Sequence, residues 1–109
     1  MSARNPLQVV NFVDSLGNPT GGGVEGVGLS VQWQNGPLGN PPALSNGAFL
    51  EDLIEAARQR LIFYQTAAEG KFACRENALA LTKLEEASMW LQARRDDRGA
   101  RGVQGTYNP

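Results

Sequence analysis

Two stretches in the N-terminal third of the chain have the hydrophobic pattern of β-strands. Residues 8–13, Gln-Val-Val-Asn-Phe-Val, are mainly β-branched or aromatic, and from residue 27 to residue 34 apolar side chains alternate with small or polar ones. Between them, residues 16–23 contain Gly-Asn-Pro-Thr-Gly-Gly-Gly, a composition typical of a turn. We therefore predict an N-terminal β-hairpin or small antiparallel sheet, a β layer over residues 7–36.

The rest of the chain changes to a helical period after a loop at 37–46 that is rich in proline and glycine. We predict a first helix over 46–65, capped by Ser45 or Asn46, and a second over 73–98. The first apolar stripe comprises Phe49, Leu50, Leu53, Ile54, Ala57, Leu61 and Tyr64, and the second runs through Asn77, Leu81, Leu84, Ser88 and Leu91. The fold class is thus α+β, with a C-terminal antiparallel helical hairpin and a tail at 99–109.

The length of 109 residues fits a single domain, 1–109, with one modest core. The second helix is long compared with the elements available to cover it, and a two-stranded sheet is marginally stable alone. Both features predict a homo-oligomer. Trp90 fits either a subunit interface or the core of one chain, and these two interpretations remain open.

Composition excludes several classes of function. The net charge of −1 does not favour nucleic-acid binding, and the chain has no run of apolar residues long enough for a transmembrane helix. The absence of histidine removes the common zinc sites and the usual nucleophile–base pairs. Cys74, the single cysteine, fits a reducing compartment and is interpreted as a small buried hydrophobe. We therefore expect a cytoplasmic protein that is not an enzyme, with no metal and no cofactor.

Arginines near the end of the second helix are the main candidates for ligand chemistry. Arg94, Arg98 and Arg101 follow the spacing i, i+4, i+7, which places them on one helical face. Guanidinium groups bind phosphate oxygens in a bidentate geometry, so this stripe indicates a site for a small phosphorylated ligand. The alternative is that these charges are solvated and only complement the helix dipole.

Four segments, in order, resemble the phage Thoeris anti-defence proteins of the first type, which are related to the anti-CBASS hairpin sponges. They are Ser-Val-Gln-Trp-Gln-Asn-Gly-Pro at 30–37, Arg-Leu-Ile-Phe-Tyr-Gln at 60–65, Phe-Ala-Cys-Arg-Glu-Asn-Ala-Leu-Ala-Leu-Thr-Lys-Leu-Glu-Glu-Ala at 72–87, and Arg-Gly-Val-Gln-Gly-Thr at 101–106. The resemblance implies a protein that sequesters cyclic ADP-ribose isomers, and by relation cyclic di- or trinucleotides, without cleaving them. It also implies a homodimer or a hexamer built as a trimer of dimers, ligands bound between subunits, and action in the cytoplasm of the infected bacterium.

The resemblance also assigns site residues. The aromatic platform corresponds to Tyr64, with Phe63 as the second choice, and the motif asparagine is Asn77. The late arginines are Arg94 and Arg98, and the flanking motif residues Arg75, Arg101 and Thr106 complete the candidate set.

Two departures from the family pattern bear on this site. The connection at 66–71 is longer than usual, and Asp96 and Asp97 interrupt the basic segment. From the residues alone, Tyr64 is either a core side chain or a stacking platform, and we adopt the platform. The alternative function is a helical protein-interaction module with an arginine-rich surface.

Overall fold

The computed structural model describes residues 4–109, which form two compact units. The first contains the chain up to Phe49 together with Arg101–Pro109, and the second is Leu50–Ala100. The elements follow one another as three strands and then two helices, so the α+β class is confirmed. The expectation of a single domain over 1–109 stays a prediction, and its residues 1–3 lie outside the described part of the chain.

The first unit contains an antiparallel sheet of three strands in the order β1-β2-β3. Their bounds are β1 Gln8–Val13, β2 Pro19–Gly26 and β3 Leu29–Gln32. The prediction of a small antiparallel sheet is therefore confirmed, whereas the prediction that residues 16–23 form only a turn is wrong. Most of that glycine-rich segment belongs to the central strand, and the tight turn before it is shaped by Asp14, whose carboxylate accepts the backbone N–H of Leu16 at 2.9 Å.

Glycines occupy the central strand because the neighbouring backbones leave no room for side chains. A Cβ built on Gly22 would lie 2.1 Å from the carbonyl oxygen of Val10, and one built on Gly23 would lie 2.9 Å from that of Val31. Gly22 also has φ +136°, a conformation that L side chains rarely adopt. The register between β1 and β2 shifts between Asn11 and Val13, as expected for an irregular, glycine-containing strand.

The loop after β3 and the C-terminal tail are both held by hydrogen bonds within the first unit. The Gln34 side-chain oxygen accepts hydrogen bonds from the Ser45 hydroxyl at 2.7 Å and the Asn46 backbone N–H at 2.8 Å. Farther along, the Tyr107 hydroxyl donates to the Pro19 carbonyl at 2.6 Å. Ser45 and Asn46 therefore organise the loop and do not cap the first helix, which begins later than predicted.

The second unit is a helical hairpin of α1 Leu50–Gly70 and α2 Arg75–Ala100. Regular helical dihedral angles in α1 stop before Ala67, and Ala68, Glu69 and Gly70 all have positive φ, at 50°, 58° and 84°. These three left-handed residues reverse the chain, because continuous helix geometry cannot. The predicted bounds were 46–65 for the first helix and 73–98 for the second, and the observed bounds are Leu50–Gly70 and Arg75–Ala100.

Half-buried residues in both helices recur at alternating steps of three and four, which marks the seam where they pack. The seam of α2 follows the predicted stripe and continues into two arginines. On this seam the half-buried residues are Asn77, Leu81, Leu84, Ser88, Leu91, Arg95 and Arg98 in α2, and Glu51, Ile54, Arg58, Leu61 and Gln65 in α1; Leu53, Glu55 and Ala87 are half-buried beside it.

The predicted stripe of α1 is partly wrong, because that helix carries two apolar stripes. Ile54 and Leu61 lie on the seam, whereas Leu50 and Tyr64 are 50% and 41% exposed. Arg58 occupies a seam position where it is neutralised by Glu55, whose carboxylate accepts two of its N–H groups at 2.7 and 2.8 Å. Because Arg58 occupies a seam position, the apolar side chains of Leu50 and Tyr64 lie outside the seam and form a second, exposed apolar surface.

Within residues 4–109 no side chain is fully buried. Large apolar groups are instead exposed on α2, including Met89 at 70% and Trp90 at 76%. In a single chain, both units therefore leave much apolar surface exposed to solvent, although burial of such surface is what normally drives folding.

Candidate functional site

Aromatic and cationic groups cluster where the hairpin turns, and we call this region the turn end: Arg60, Phe63, Tyr64, Arg75 and Asn77. The Arg60 guanidinium lies 4.9 Å from the centre of the Tyr64 ring and 5.1 Å from that of Phe63, and its Nε donates to the Tyr64 hydroxyl at 3.2 Å. The two ring centroids are 6.3 Å apart. These distances are typical of cation–π contacts, so Arg60 holds both rings in defined positions.

Sequence reasoning missed Arg60, although its spacing contained the signal. Residues three and four apart on a helix are neighbours, and Phe63 and Tyr64 stand at those steps from Arg60. An arginine one turn before two aromatic residues therefore predicts a cation–π cluster. The contact adds a positive charge beside the rings, which the predicted platform of Tyr64 alone did not include.

Tyr64 is accessible from solvent, as a stacking platform requires. Its neighbours Leu61 and Gln65 are on the seam, and Tyr64 itself lies outside it with 41% of its surface exposed. The core interpretation of Tyr64 therefore does not hold for the single hairpin. Phe63 is exposed as well, so both predicted aromatic candidates are available to a ligand, and their role in binding stays a prediction.

The start of α2 is fixed to α1 by one side chain. Gln65 accepts the Cys74 backbone N–H, which has no helical partner, at 3.0 Å, and donates to the Cys74 carbonyl at 3.1 Å beside the helical bond from the Ala78 N–H. The Cys74 sulfur in turn accepts the backbone N–H of Asn77 at 3.4 Å, as an N-cap does. Cys74 is exposed, so its interpretation as a buried hydrophobe is wrong.

Asn77 and Arg75 have different settings at the turn end. Asn77 is half-buried at the first seam position of α2, and its side-chain amide has no hydrogen-bond partner among residues 4–109. Arg75 is the first residue of α2 and is exposed. The Asn77 amide offers hydrogen-bond donors and an acceptor to a ribose or a base edge, and Arg75, two residues earlier on the helix, separately offers a guanidinium to a phosphate.

The other candidate arginines lie at the opposite end of α2, which we call the arginine end: Arg94, Arg95 and Arg98. Arg94 is exposed, whereas Arg95 and Arg98 are half-buried on the seam. Arg95 donates a hydrogen bond to the Gln92 side chain, whose own amide donates to Asp96 at 2.8 Å. Asp96 is thereby engaged with a neutral neighbour.

The helical stripe of three arginines expected from the sequence is only partly present. Helix α2 ends at Ala100, so Arg101 follows the helix and belongs to the first unit, with the tail. Thr106 is in the same tail, where its hydroxyl donates to the Val103 carbonyl at 2.5 Å and accepts from the Asn108 N–H at 3.2 Å. The proposed ligand contacts of Arg101 and Thr106 remain predictions.

The two ends of the hairpin are far apart within one chain. The seventeen-residue step from Asn77 to Arg94 spans about 26 Å at the rise of an α-helix. The structure therefore separates the predicted residues into two groups, one at the turn end and one at the arginine end.

The charged pair in the middle of the hairpin has a structural role. Hydrogen bonds from the Arg58 and Gln59 side chains lower the pKa of Glu55 from about 4.5 to about 2, and the same carboxylate raises the pKa of Arg58. Arg58 is thus committed to a neighbour on its own helix.

Among residues 4–109 no three acidic or cysteine side chains are grouped so as to hold a metal ion. In the same part of the chain, neither helix combines the length and apolar character needed to cross a membrane.

Comparison with known proteins places most of the hairpin in a defined family. Residues 27–95 match the family model described as the Acb2/Tad1 hairpin domain. The chain is also 47% identical over 78 residues to Thoeris anti-defense 1 of Bacillus phage SBSphiJ7, an alignment that covers 72% of this chain and 51% of that protein. The chain thus spans about half the length of the curated relative it matches. The family match includes the whole turn end and Arg94, and stops before Arg98.

Proposed function

The chain belongs to the Acb2/Tad1 hairpin family, and we propose that it is a phage anti-defence protein that sequesters cyclic nucleotide immune signals. The ligands we propose are glycocyclic ADP-ribose isomers and, in addition, cyclic di- or trinucleotides. The protein holds them without cleaving them, in the cytoplasm of the infected bacterium. The name of its relative, Thoeris anti-defense 1, supports the anti-defence role.

The observation that carries this proposal is the cluster at the turn end. Tyr64 and Phe63 present accessible rings, and Arg60 orients them through cation–π contacts. A nucleobase stacks on such a surface for about 1–3 kcal/mol. The unpaired amide of Asn77 is then available for the ribose or the base edge.

Arginines supply the phosphate contacts in this proposal. Arg94 is exposed, and a guanidinium pairs with two phosphate oxygens at once, which a lysine does not. Because the arginine end lies about 26 Å along α2 from Asn77, it completes the site only from a second copy. The proposed site is therefore composite, with the turn end of one copy facing the arginine end of another.

The exposed apolar surface of the helices supports such an assembly. Met89 and Trp90 project from α2 outside the seam, and Leu50 does so from α1. We propose that these side chains are covered in a homodimer, or in a hexamer of three dimers. Light scattering at micromolar concentration then gives a mass of at least two chains, and a monomer near 11.7 kDa counts against the composite site.

The function is tested by recovering ligand from the protein. The protein is incubated with a panel of cyclic ADP-ribose isomers and cyclic oligonucleotides, separated from free ligand, and denatured by heat. Intact ligand in the supernatant supports sequestration, and altered ligand indicates an enzyme. If nothing is retained, the protein is instead an interaction module, and the arginine end is the surface to test for partners.

A further inference from the structure

A trough on the three-stranded sheet lies entirely within the first unit and has no part in the hairpin site. Its floor is formed by Gly21 and Gly22 of β2, where the strand carries no side chains. Phe12 of β1 and Gln32 of β3 stand on either side, and Trp33 lines it as well. The glycines that allow the strands to approach thus also leave an opening about 220 Å³ in volume.

The lining of the trough is polar but carries no charge. Besides Phe12 and Trp33, the uncharged residues that line it are Thr20, Gln32 and Asn35, and Trp33 approaches Gly21 with its backbone carbonyl. None of these three polar side chains has a hydrogen-bond partner among residues 4–109. Nothing in this lining neutralises a phosphate, so the trough does not suit the anionic part of a nucleotide.

Its size and chemistry select a single flat ring system. Small-molecule pockets commonly measure about 300–1,000 Å³, and this one is smaller, so it accepts one ring system and not a whole dinucleotide. Two amides each offer a donor and an acceptor, the pattern found along the edge of a nucleobase. Phe12 adds apolar ring surface for one of its faces.

We propose that this trough is a second binding site, specific for an uncharged nucleobase and separate from the hairpin. One ring face contacts Phe12, and the base edge bonds to Gln32 and Asn35. The proposal does not depend on the function assigned to the hairpin, because it uses no residue of Leu50–Ala100.

Fluorine NMR of fluorotryptophan-labelled full-length protein tests this site with adenosine as the probe. The chain has two tryptophans, so Trp33 reports on the trough and Trp90 on α2. We expect adenosine to shift the Trp33 signal saturably and to leave the Trp90 signal in place. Adenosine carries no phosphate, so the arginine end does not contribute, and loss of cyclic nucleotide binding in the hairpin leaves this result unchanged.

Variants then locate the contact. Phe12→Ala should weaken adenosine binding at least about five-fold, as expected for a lost stacking contact. The matched control is Phe72→Ala, because both phenylalanines are 57% exposed and Phe72 lies in the other unit. Asn35→Ala serves as a second variant if Phe12→Ala disturbs the sheet, which circular dichroism detects.

Three results would overturn the proposal. The first is a Trp33 signal that does not move up to the solubility limit of adenosine. The second is equal weakening by Phe12→Ala and Phe72→Ala. The third is an equal shift produced by methyl glucoside, which would identify a sugar site in place of a nucleobase site.

Discussion

The separation of the turn end from the arginine end can be tested by mixing two defective variants. Tyr64→Ala removes the stacking platform and should cost about 1–3 kcal/mol of binding free energy. Arg98→Ala removes a charge-assisted hydrogen bond and should cost about 1.5–3 kcal/mol. Since about 1.4 kcal/mol is a factor of ten in the dissociation constant, Tyr64→Ala should bind at least about five-fold more weakly and Arg98→Ala at least about ten-fold more weakly.

The mixture distinguishes a composite site from a site within one chain. If the two ends come from different copies, a composite site is intact when its turn end comes from the Arg98→Ala chain and its arginine end from the Tyr64→Ala chain. Random exchange of equal amounts should then restore about one quarter of the sites to full affinity, because the interface is shared between copies. If both ends act within one chain, the mixture restores none.

A second mixture provides the control. Parent protein exchanged with the double variant Tyr64→Ala/Arg98→Ala should also leave about one quarter of composite sites intact, but about one half if the site is within a chain. Isothermal titration calorimetry after joint unfolding and refolding counts the high-affinity sites. Tyr64→Phe should keep most of the affinity, because the ring supplies the stacking. A first mixture with no high-affinity sites, beside a second with half, would refute the composite site.

Three further expectations concern stability, each measured by thermal unfolding. Ala68→Gly should be neutral or stabilising by up to about 1 kcal/mol, because φ +50° is unfavourable with a Cβ, whereas Ala80→Gly inside α2 should cost about 0.5–1 kcal/mol. The pKa of Glu55 is lowered in the folded protein, so the stabilising contribution of its carboxylate is present above pH about 4.5 and is lost as the pH falls to about 2. The melting temperature of the parent should therefore approach that of Glu55→Gln as the pH falls through this window. A constant difference between the two melting temperatures would contradict the pairing with Arg58. Gly22→Ala should melt the sheet at lower temperature, since its Cβ would lie 2.1 Å from a backbone oxygen, and an unchanged melting curve would contradict the close strand packing.

The hairpin was predictable from the sequence where one helical period dominates. In α2 the apolar residues mark the seam directly, and the half-buried positions follow the same steps. In α1, hydrophobicity favoured Leu50 and Tyr64 as inner residues, while the seam contains Arg58 and Gln65 instead. These polar residues are tolerated because each has a partner, Glu55 or the Cys74 backbone, and sequence periodicity does not reveal such pairing.

Composition misled the prediction for the glycine-rich segment, residues 16–23, for a different reason. A run of glycines has the same appearance whether it forms a turn or a strand pressed between two others, and only the neighbours decide. For Gly22 and Gly23 the deciding groups are the carbonyls of Val10 and Val31, which are distant in sequence. The two ends of the proposed ligand site, by contrast, were separable from the sequence, because the rise of a helix fixes the distance between Asn77 and Arg94.

The bond from Tyr107 to Pro19 has a consequence for the order in which the chain acquires its structure. It joins residues 88 positions apart, and the whole hairpin, Leu50–Ala100, lies between them in sequence. The hairpin can form from local contacts, whereas the first unit is incomplete until its last segment reaches the sheet. We therefore expect a chain truncated after Ala100 to protect the hairpin from proteolysis more than it protects the glycine-rich strand.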